Sequence, residues 1–403
     1  MTTKHGAICL GITLCLSLTI PTLTQTPDIP EATSPAAPVA YIYVGTTSGV
    51  VLFDAASNGK LTKVAGSPFQ TSGLAVGSNG KYFLSLGTNQ IRSYPIASNG
   101  SIGKQVANIN TQLFDGAECS DAGTGGGNFL PPAVLDHTGK NLYVYFFTEF
   151  NSGGPSGGCA SIQTYNISTS GAFAFNGSAL FGNNAGNGLF QIPSMTGNDA
   201  FSYASGYFGT AGDPGDNLVY GFKRVSSGEL VDWDLNIKYP AAPNGASFLP
   251  GLFTADPTNH LAMATSAFYG NGGDWIFGPT QLASFTADAK GNLTSTNTSA
   301  NMPTPKVNPS SMNMSPSGKL LAVAGSGLQV FHFNGAAPIT PYSSILTTAL
   351  IDRIRWDNSN HLYALSESTN KLYVYTVTPT SITQVAGSPY TVNNPNALIV
   401  VPK

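Results

Sequence analysis

One unit recurs along this chain, and its spacing constrains the fold more than any other feature. An apolar run, a tight polar turn and a second apolar run read LAVGSNGKYFLSL at 74–86, AVLDHTGKNLYVY at 133–145, FTADPTNHLAMAT at 253–265, MNMSPSGKLLAVA at 312–324 and IRWDNSNHLYALS at 354–366. SMTGNDAFSYA at 194–204 is a degenerate copy. Asn-Gly, Ser-Gly and Thr-Gly between short apolar runs are hairpin chemistry, because they supply the positive φ that tight turns need. An alternating strand follows each unit: QIRSYPIAS, SIQTYNIST, LVYGFKRVS, QLASFTADA, LQVFHFN and KLYVYTVTP. A further Gly/Asn turn and a shorter strand complete the repeat. The alternation has period two, so helical repeats are excluded.

Four antiparallel strands, a to d, repeating every forty to sixty residues or so describe the blades of a β-propeller. Six full units run from Gly73 to about Val392. The chain before them offers only YIYVGTT, VVLFDAA and KLTKVAG, which match strands b, c and d. The missing strand a is NALIVV at 396–401. A ring must remove its sheet edges, so this strand is expected to complete the first blade and close a seven-bladed, all-β propeller.

Composition agrees. Gly (46) and Pro (27) are abundant, 41% of residues are apolar and 9% are charged. Disorder requires low hydrophobicity together with high net charge, which this chain lacks. A net charge of −3 with no Lys/Arg cluster argues against nucleic acid, whose binding rests on phosphate neutralisation.

YIYVGTTSG (41–49), the SPSGKLLAV turn unit (315–323) and AGSPF (65–69) resemble the lactonase-type seven-bladed propellers. That family includes bacterial 6-phosphogluconolactonase and the YVTN-type repeat proteins. The resemblance covers nearly all of residues 40–403 and rests on blade-building motifs. It implies the fold and, as an expectation, lactone hydrolysis.

The first residues read as an export signal: Lys4 supplies the positive region, residues 7–20 are uncharged and largely apolar, and Pro21 breaks the run. The expected organisation is a signal peptide (1–24), a Pro/Thr/Ala-rich linker (25–39) and the propeller (40–403), secreted or periplasmic. Cys9 and Cys15 leave with the signal. The remaining pair, Cys119 and Cys159, is expected to form a disulfide in an oxidising compartment. No transmembrane segment remains after cleavage, no cofactor motif is present, and the chain is expected to be a monomer.

Blade topology sorts the connections. The a–b and c–d turns share one face and are short. The other face carries the insertions at 111–130, 149–158, 206–216 and 268–279. Long loops on a rigid scaffold concentrate binding and catalysis. They bring Asp115, Glu118, Asp121, Glu149, Asp213, Asp216 and Asp274 to one rim, with aromatic neighbours such as Phe114, Phe150, Trp275 and Phe277. Asp213 and Asp216 are the densest candidate pair for a hard cation, although no stretch matches a known calcium loop.

Histidines give no obvious catalytic base. His137, His260 and His361 fall in or beside a–b turns, with His260 and His361 aligned to Lys81, Lys140 and Lys319. They read as polar turn residues on the short-turn face. His332, between Phe331 and Phe333, reads as structural. No Ser–His–Asp set or G-x-S-x-G elbow appears. Arg353 and Arg355 lie on strand a of blade 7, on one side of it by alternation. They are the candidates for an anion or carbonyl contact, partnered by Asp352 or Glu149. Two functional readings follow. One is a propeller that binds a small molecule, glycan or protein on its long-loop face. The other is hydrolysis of a sugar or related lactone by a carboxylate-activated water with an arginine at the oxyanion.

Overall fold

The turn residues explain why each repeat folds into a hairpin. A short polar side chain ends strand a in five blades and caps the turn that follows. Asp136 accepts the backbone N–H of Lys140 and Asn141, and Thr196 that of Phe201. Asp256 accepts Thr258 and His260, Ser315 accepts Leu320, and Asp357 accepts Ser359 and His361. Such side chains compete for turn N–H groups more cheaply than any regular ladder could satisfy them. Three residues after the cap the backbone goes left-handed, at Gly139, Gly318, Asn360 and Asp199.

A computed structural model describes residues 37–403 apart from 88, 112–127, 130–132, 150–157, 182–187, 190–193, 208–216, 244 and 272–273. Among the described residues there is no helix. The strands form seven sheets, the blades of a β-propeller. Blade 2 shows the pattern: Leu74–Ser78, Tyr82–Leu86, Gln90–Pro95 and Ala107–Asn110 pair in sequence order, all antiparallel. Blade 7 repeats it with Arg353–Trp356, His361–Ser366, Lys371–Val377 and Ile382–Gln384. Blade 5 adds a strand, Ile237–Lys238, parallel to Leu293–Thr294.

Blade 1 closes the ring as the sequence predicts. Pro395–Pro402 pairs with Ala40–Thr46 in antiparallel register, Tyr41 opposite Val401 and Val44 opposite Leu398. Gly49–Ala55 and Leu61–Lys63 follow outward. One correction concerns the insertion at 268–279. It is not a loop but the outer part of a hairpin formed by His260–Asn271 and Asp274–Ala287, with Phe268 opposite Phe277 and Asn271 opposite Asp274. Residues 268–271 and 274–277 continue the pleat of the two strands.

The core is divided among the blade interfaces. Among the described residues seven apolar clusters are present, each shared by two neighbouring blades. Ile42, Val44 and Leu398 of blade 1 meet Tyr363, Leu365 and Val374 of blade 7 in one of them. Period-two alternation sends successive side chains to opposite sheet faces, so both faces of each blade are apolar.

A second contact repeats around the ring. The glycine of one blade's c–d turn lies against the residue of the preceding blade that opens strand b. The pairs are Gly100 on Tyr41, Gly171 on Tyr82, Gly228 on Asn141, Gly291 on Phe201, Gly335 on His260 and Gly59 on His361. In three of them a tyrosine two residues further on donates its hydroxyl to that glycine's carbonyl: Tyr43 to Gly100, Tyr143 to Gly228 and Tyr203 to Gly291. At Gly291, φ is 87° and an added Cβ would stand 2.5 Å from the buried Phe201 ring. At Gly80, φ is 82° but nothing lies within 4 Å of that position. Gly80→Ala is therefore expected to cost about 1–2 kcal/mol, the backbone cost of a left-handed alanine. Gly291→Ala adds overpacking and is expected to reach about 2–4 kcal/mol. Urea unfolding of the two variants checks this, and equal losses would remove steric contact from the explanation.

Candidate functional site

Strand a is the innermost strand of each blade and runs from the long-connection face towards the short-turn face. In Arg353–Trp356 the side chains of Ile354 and Trp356 enter the core between blades 6 and 7. Arg353 and Arg355 take the other side. Arg353 begins the strand at the long-connection mouth, and Arg355 lies towards the short-turn mouth.

At the long-connection mouth Arg353 pairs with Glu367 and not with the adjacent Asp352. Arg353 Nε donates to Glu367 Oε1 at 3.1 Å, and the Asp352 carboxylate accepts the Glu367 backbone N–H at 2.8 Å. Strand register explains the pairing: Arg353 stands opposite Leu365, so the b–c turn two residues later returns Glu367 beside it. Sequence reasoning missed Glu367, which sits in no motif; its one signal is a carboxylate opening a b–c turn. Both side chains are about a third exposed, at 31% and 32%, so the pair contributes at most about 1 kcal/mol to stability.

Other candidates fall elsewhere. Glu149 ends its strand opposite Gly158. Asp115, Glu118, Asp121, Asp213, Asp216 and Cys119 lie outside the described residues, as do the side chains of Glu149, Cys159 and Asp274. The disulfide and cation expectations therefore lie outside them as well. Among the described residues, no group of three or more His, Cys, Asp or Glu side chains is placed to hold a metal.

The short-turn mouth holds more chemistry than its sequence suggests. A cavity of about 420 Å³ is lined by His137, Gly197, Asp256, Asn313, Arg355 and Trp356, among others. These residues come from the ends of strand a or the a–b turns of five successive blades. Arg355 Nη1 donates to the Ile354 carbonyl at 2.8 Å. No carboxylate pairs with Arg355 among the described residues. Burial, and then the positive charge of Arg353, lower its pKa to about 10, which leaves it cationic at neutral pH.

Opposite the expectation for a turn residue, His137 is paired with a carboxylate from the next blade. Its Nδ1 lies 2.5 Å from Asp199 Oδ1, and its backbone N–H points at both Asp199 oxygens at 3.1 and 3.0 Å. The Asp199 side chain is 5% exposed and that of His137 is 56% exposed. The hydrogen bond that His137 donates to Asp199 raises the His137 pKa above 6.5, outweighing partial burial, with the charges of Asp199 and Asp136 acting in the same sense. Asp199 has φ 56° and fills the left-handed position held by Gly139 and Gly318 in other turns. An acidic residue at a glycine position was the available signal for this pair.

His260 and His361 also need correction. Their a–b turns are one residue shorter, so they do not align with Lys81, Lys140 and Lys319. They open strand b, at the position of Asn141 and Phe201. His361 is fully buried and bonds Asp357 Oδ2 through Nδ1 at 2.7 Å, while the Tyr363 hydroxyl donates to the same oxygen at 2.9 Å. His332 stacks on Tyr342 with ring centroids 4.3 Å apart.

No family model matches the chain, and no curated protein matches it in sequence. Solved structures do match it in three dimensions. A proposed 6-phosphogluconolactonase from Bacteroides fragilis superposes with a TM-score of 0.55 at 16% identity, over 90% of this chain and 98% of that one. A Lactobacillus plantarum protein gives 0.56 at 14% identity, over 90% and 98%. The periplasmic gluconolactonase of Pseudomonas aeruginosa gives 0.52 at 14% identity, over 90% and 99%. These likenesses show the fold, a seven-bladed β-propeller, and at such identities the chain shares architecture alone with these proteins. Among the described residues no helix is long and apolar enough to cross a membrane.

Proposed function

We propose that this lactonase-like propeller is an extracytoplasmic protein that takes a small polyhydroxylated carboxylate, or the corresponding lactone, into the short-turn mouth of its channel. The observation that carries this is Arg355: a guanidinium without a carboxylate partner among the described residues, lining a cavity of about 420 Å³. A charge kept away from bulk water costs free energy unless it is paired, and a ligand carboxylate supplies a bidentate partner that the protein does not. Asn313, half-buried on strand a of the neighbouring blade, adds an amide to the same cavity. Export is supported by the apolar run at 7–20 behind Lys4. A small-molecule, glycan or protein ligand on the long-loop face, the expectation from the sequence, is a separate binding reading that places the ligand at the opposite mouth.

Hydrolysis of the lactone is the second reading, favoured by the fold shared with a gluconolactonase and a proposed 6-phosphogluconolactonase. Binding is tested by thermal shift with gluconate, glucono-1,5-lactone and neutral glucose. Gluconate at about 100 times its Kd is expected to stabilise the protein by about 2.7 kcal/mol. Arg355→Gln is expected to remove that response, and glucose to give none. Equal responses to gluconate and glucose would defeat the assignment of Arg355 to an anion.

A further inference from the structure

We infer that His137 and Asp199 form a general-base dyad that serves the Arg355 cavity, making the short-turn mouth a hydrolytic site. The inference rests on the channel-mouth reading above and adds the group that does chemistry there.

Three observations support it. The first is the orientation of the pair: the carboxylate is buried and the imidazole open, so Asp199 fixes Nδ1 as the protonated nitrogen and leaves the Nε2 lone pair free. A carboxylate that orients and charges an imidazole in this way is the supporting half of a triad. The second is placement, because His137 and Arg355 line the same cavity. The third is that this contact differs from those between other neighbouring a–b turns. Other neighbouring a–b turns meet through single hydrogen bonds, Asn79 to the Gly139 carbonyl and Gly197 N–H to the Thr258 carbonyl. Among the described residues only here does an Asp occupy a left-handed position to reach a His across the blade boundary, and a left-handed L-residue costs about 1–2 kcal/mol.

The step balances without any added reagent. Nε2 of neutral His137 takes a proton from water as the water oxygen bonds to the lactone carbonyl carbon. The tetrahedral oxyanion develops opposite the Arg355 guanidinium. The ring C–O bond then breaks, and the leaving oxygen takes the proton back from Nε2. Water and lactone become one hydroxy acid, and the imidazole ends neutral.

The pH dependence has a fixed sign. His137 works only when neutral, so turnover falls as pH drops through its raised pKa, and the acid limb lies above 6.5. The charged and titratable groups facing His137 are Asp199 and Asp136, the latter neutralised by Arg224 at 3.1 Å. Asp256, in contact with His260, and Arg355 share the cavity.

The test is glucono-1,5-lactone hydrolysis by the full chain in a pH-stat, with gluconate thermal shift run in parallel. General bases contribute about 10²–10⁴-fold. His137→Gln is therefore expected to lose about a hundred-fold or more in kcat while retaining the gluconate shift. Asp199→Asn, which keeps the left-handed turn, is expected to leave residual activity whose acid limb moves to lower pH. His137→Gln with the parent's kcat and pH profile would overturn the dyad and leave the binding reading intact. So would loss of activity on Glu367→Gln but not on His137→Gln. A parent that binds gluconate through Arg355 but does not turn over the lactone would also end the inference. No gluconate response at all would end the underlying reading.

Discussion

Deleting residues 396–403 is expected to leave a chain that aggregates or melts far below the parent. The deleted segment is most of the innermost strand of blade 1, and its removal uncovers the pairing edge of residues 40–45. Leu398, Ile399 and Val401 leave two interface clusters at once, one towards blade 7 and one towards blade 2. Burying three such side chains is worth roughly 5–9 kcal/mol. That is comparable with the whole stability of a typical domain, about 5–15 kcal/mol. The freed edge would also template association with other chains. Thermal unfolding with size-exclusion chromatography measures both effects. A truncated chain that stays dispersed and melts with the parent would show that the ring holds without its closing strand.

Asp357→Ala is expected to be the most damaging single substitution at a polar position. Asp357 is fully buried and accepts four hydrogen bonds: two from turn N–H groups, one from His361 Nδ1 and one from the Tyr363 hydroxyl. Alanine would leave a buried imidazole and a buried phenol without their acceptor at the interface that closes the ring. Breaking a buried charged network in this way costs about 3–5 kcal/mol. Burial alone would raise the Asp357 pKa, but the hydrogen bonds from His361 and Tyr363 outweigh it and hold the carboxyl below its ordinary 3.8. A depressed carboxyl stabilises the fold above its unfolded pKa, and the contribution is lost as pH falls through the lower folded value. The parent should therefore lose part of its urea stability below pH 3.8, and Asp357→Ala should not show that component. Identical acid limbs in the two proteins would assign the loss to other carboxylates.

The blades were legible because each repeat carries its own turn chemistry. Ser-Asn-Gly-Lys at 78–81 and Ser-Pro-Ser-Gly at 315–318 specify hairpins without reference to the rest of the chain. The closing strand was legible by subtraction, since YIYVGTT lacked an inner neighbour. The site was less legible, because it is made where separate turns meet. His137 looked like a turn residue, and its partner is 62 residues away in the next blade. His361 looked like a turn residue aligned with the lysines because its turn is one residue shorter than theirs, a slip that exchanges a turn position for an interface one. Glu367 reaches Arg353 through strand register alone. Arg355 was located correctly on its strand, but only the cavity distinguishes its surroundings from those of Arg353.

The pairing of Ala40 with Pro402 joins residues about 360 positions apart, whereas the hairpins of blade 2 join neighbours. Closing so long a loop adds entropy cost without local reward, and non-local pairing is the slow part of β-sheet folding. Blades 2 to 7 are therefore expected to assemble first as an open arc, with their local turns already formed. Blade 1 completes last, from two segments that meet only once the arc has bent into register. Folding speed in this molecule is thus governed by how well the intermediate blades set the curvature, and substitutions at their glycine contacts should slow ring closure even when placed far from the seam.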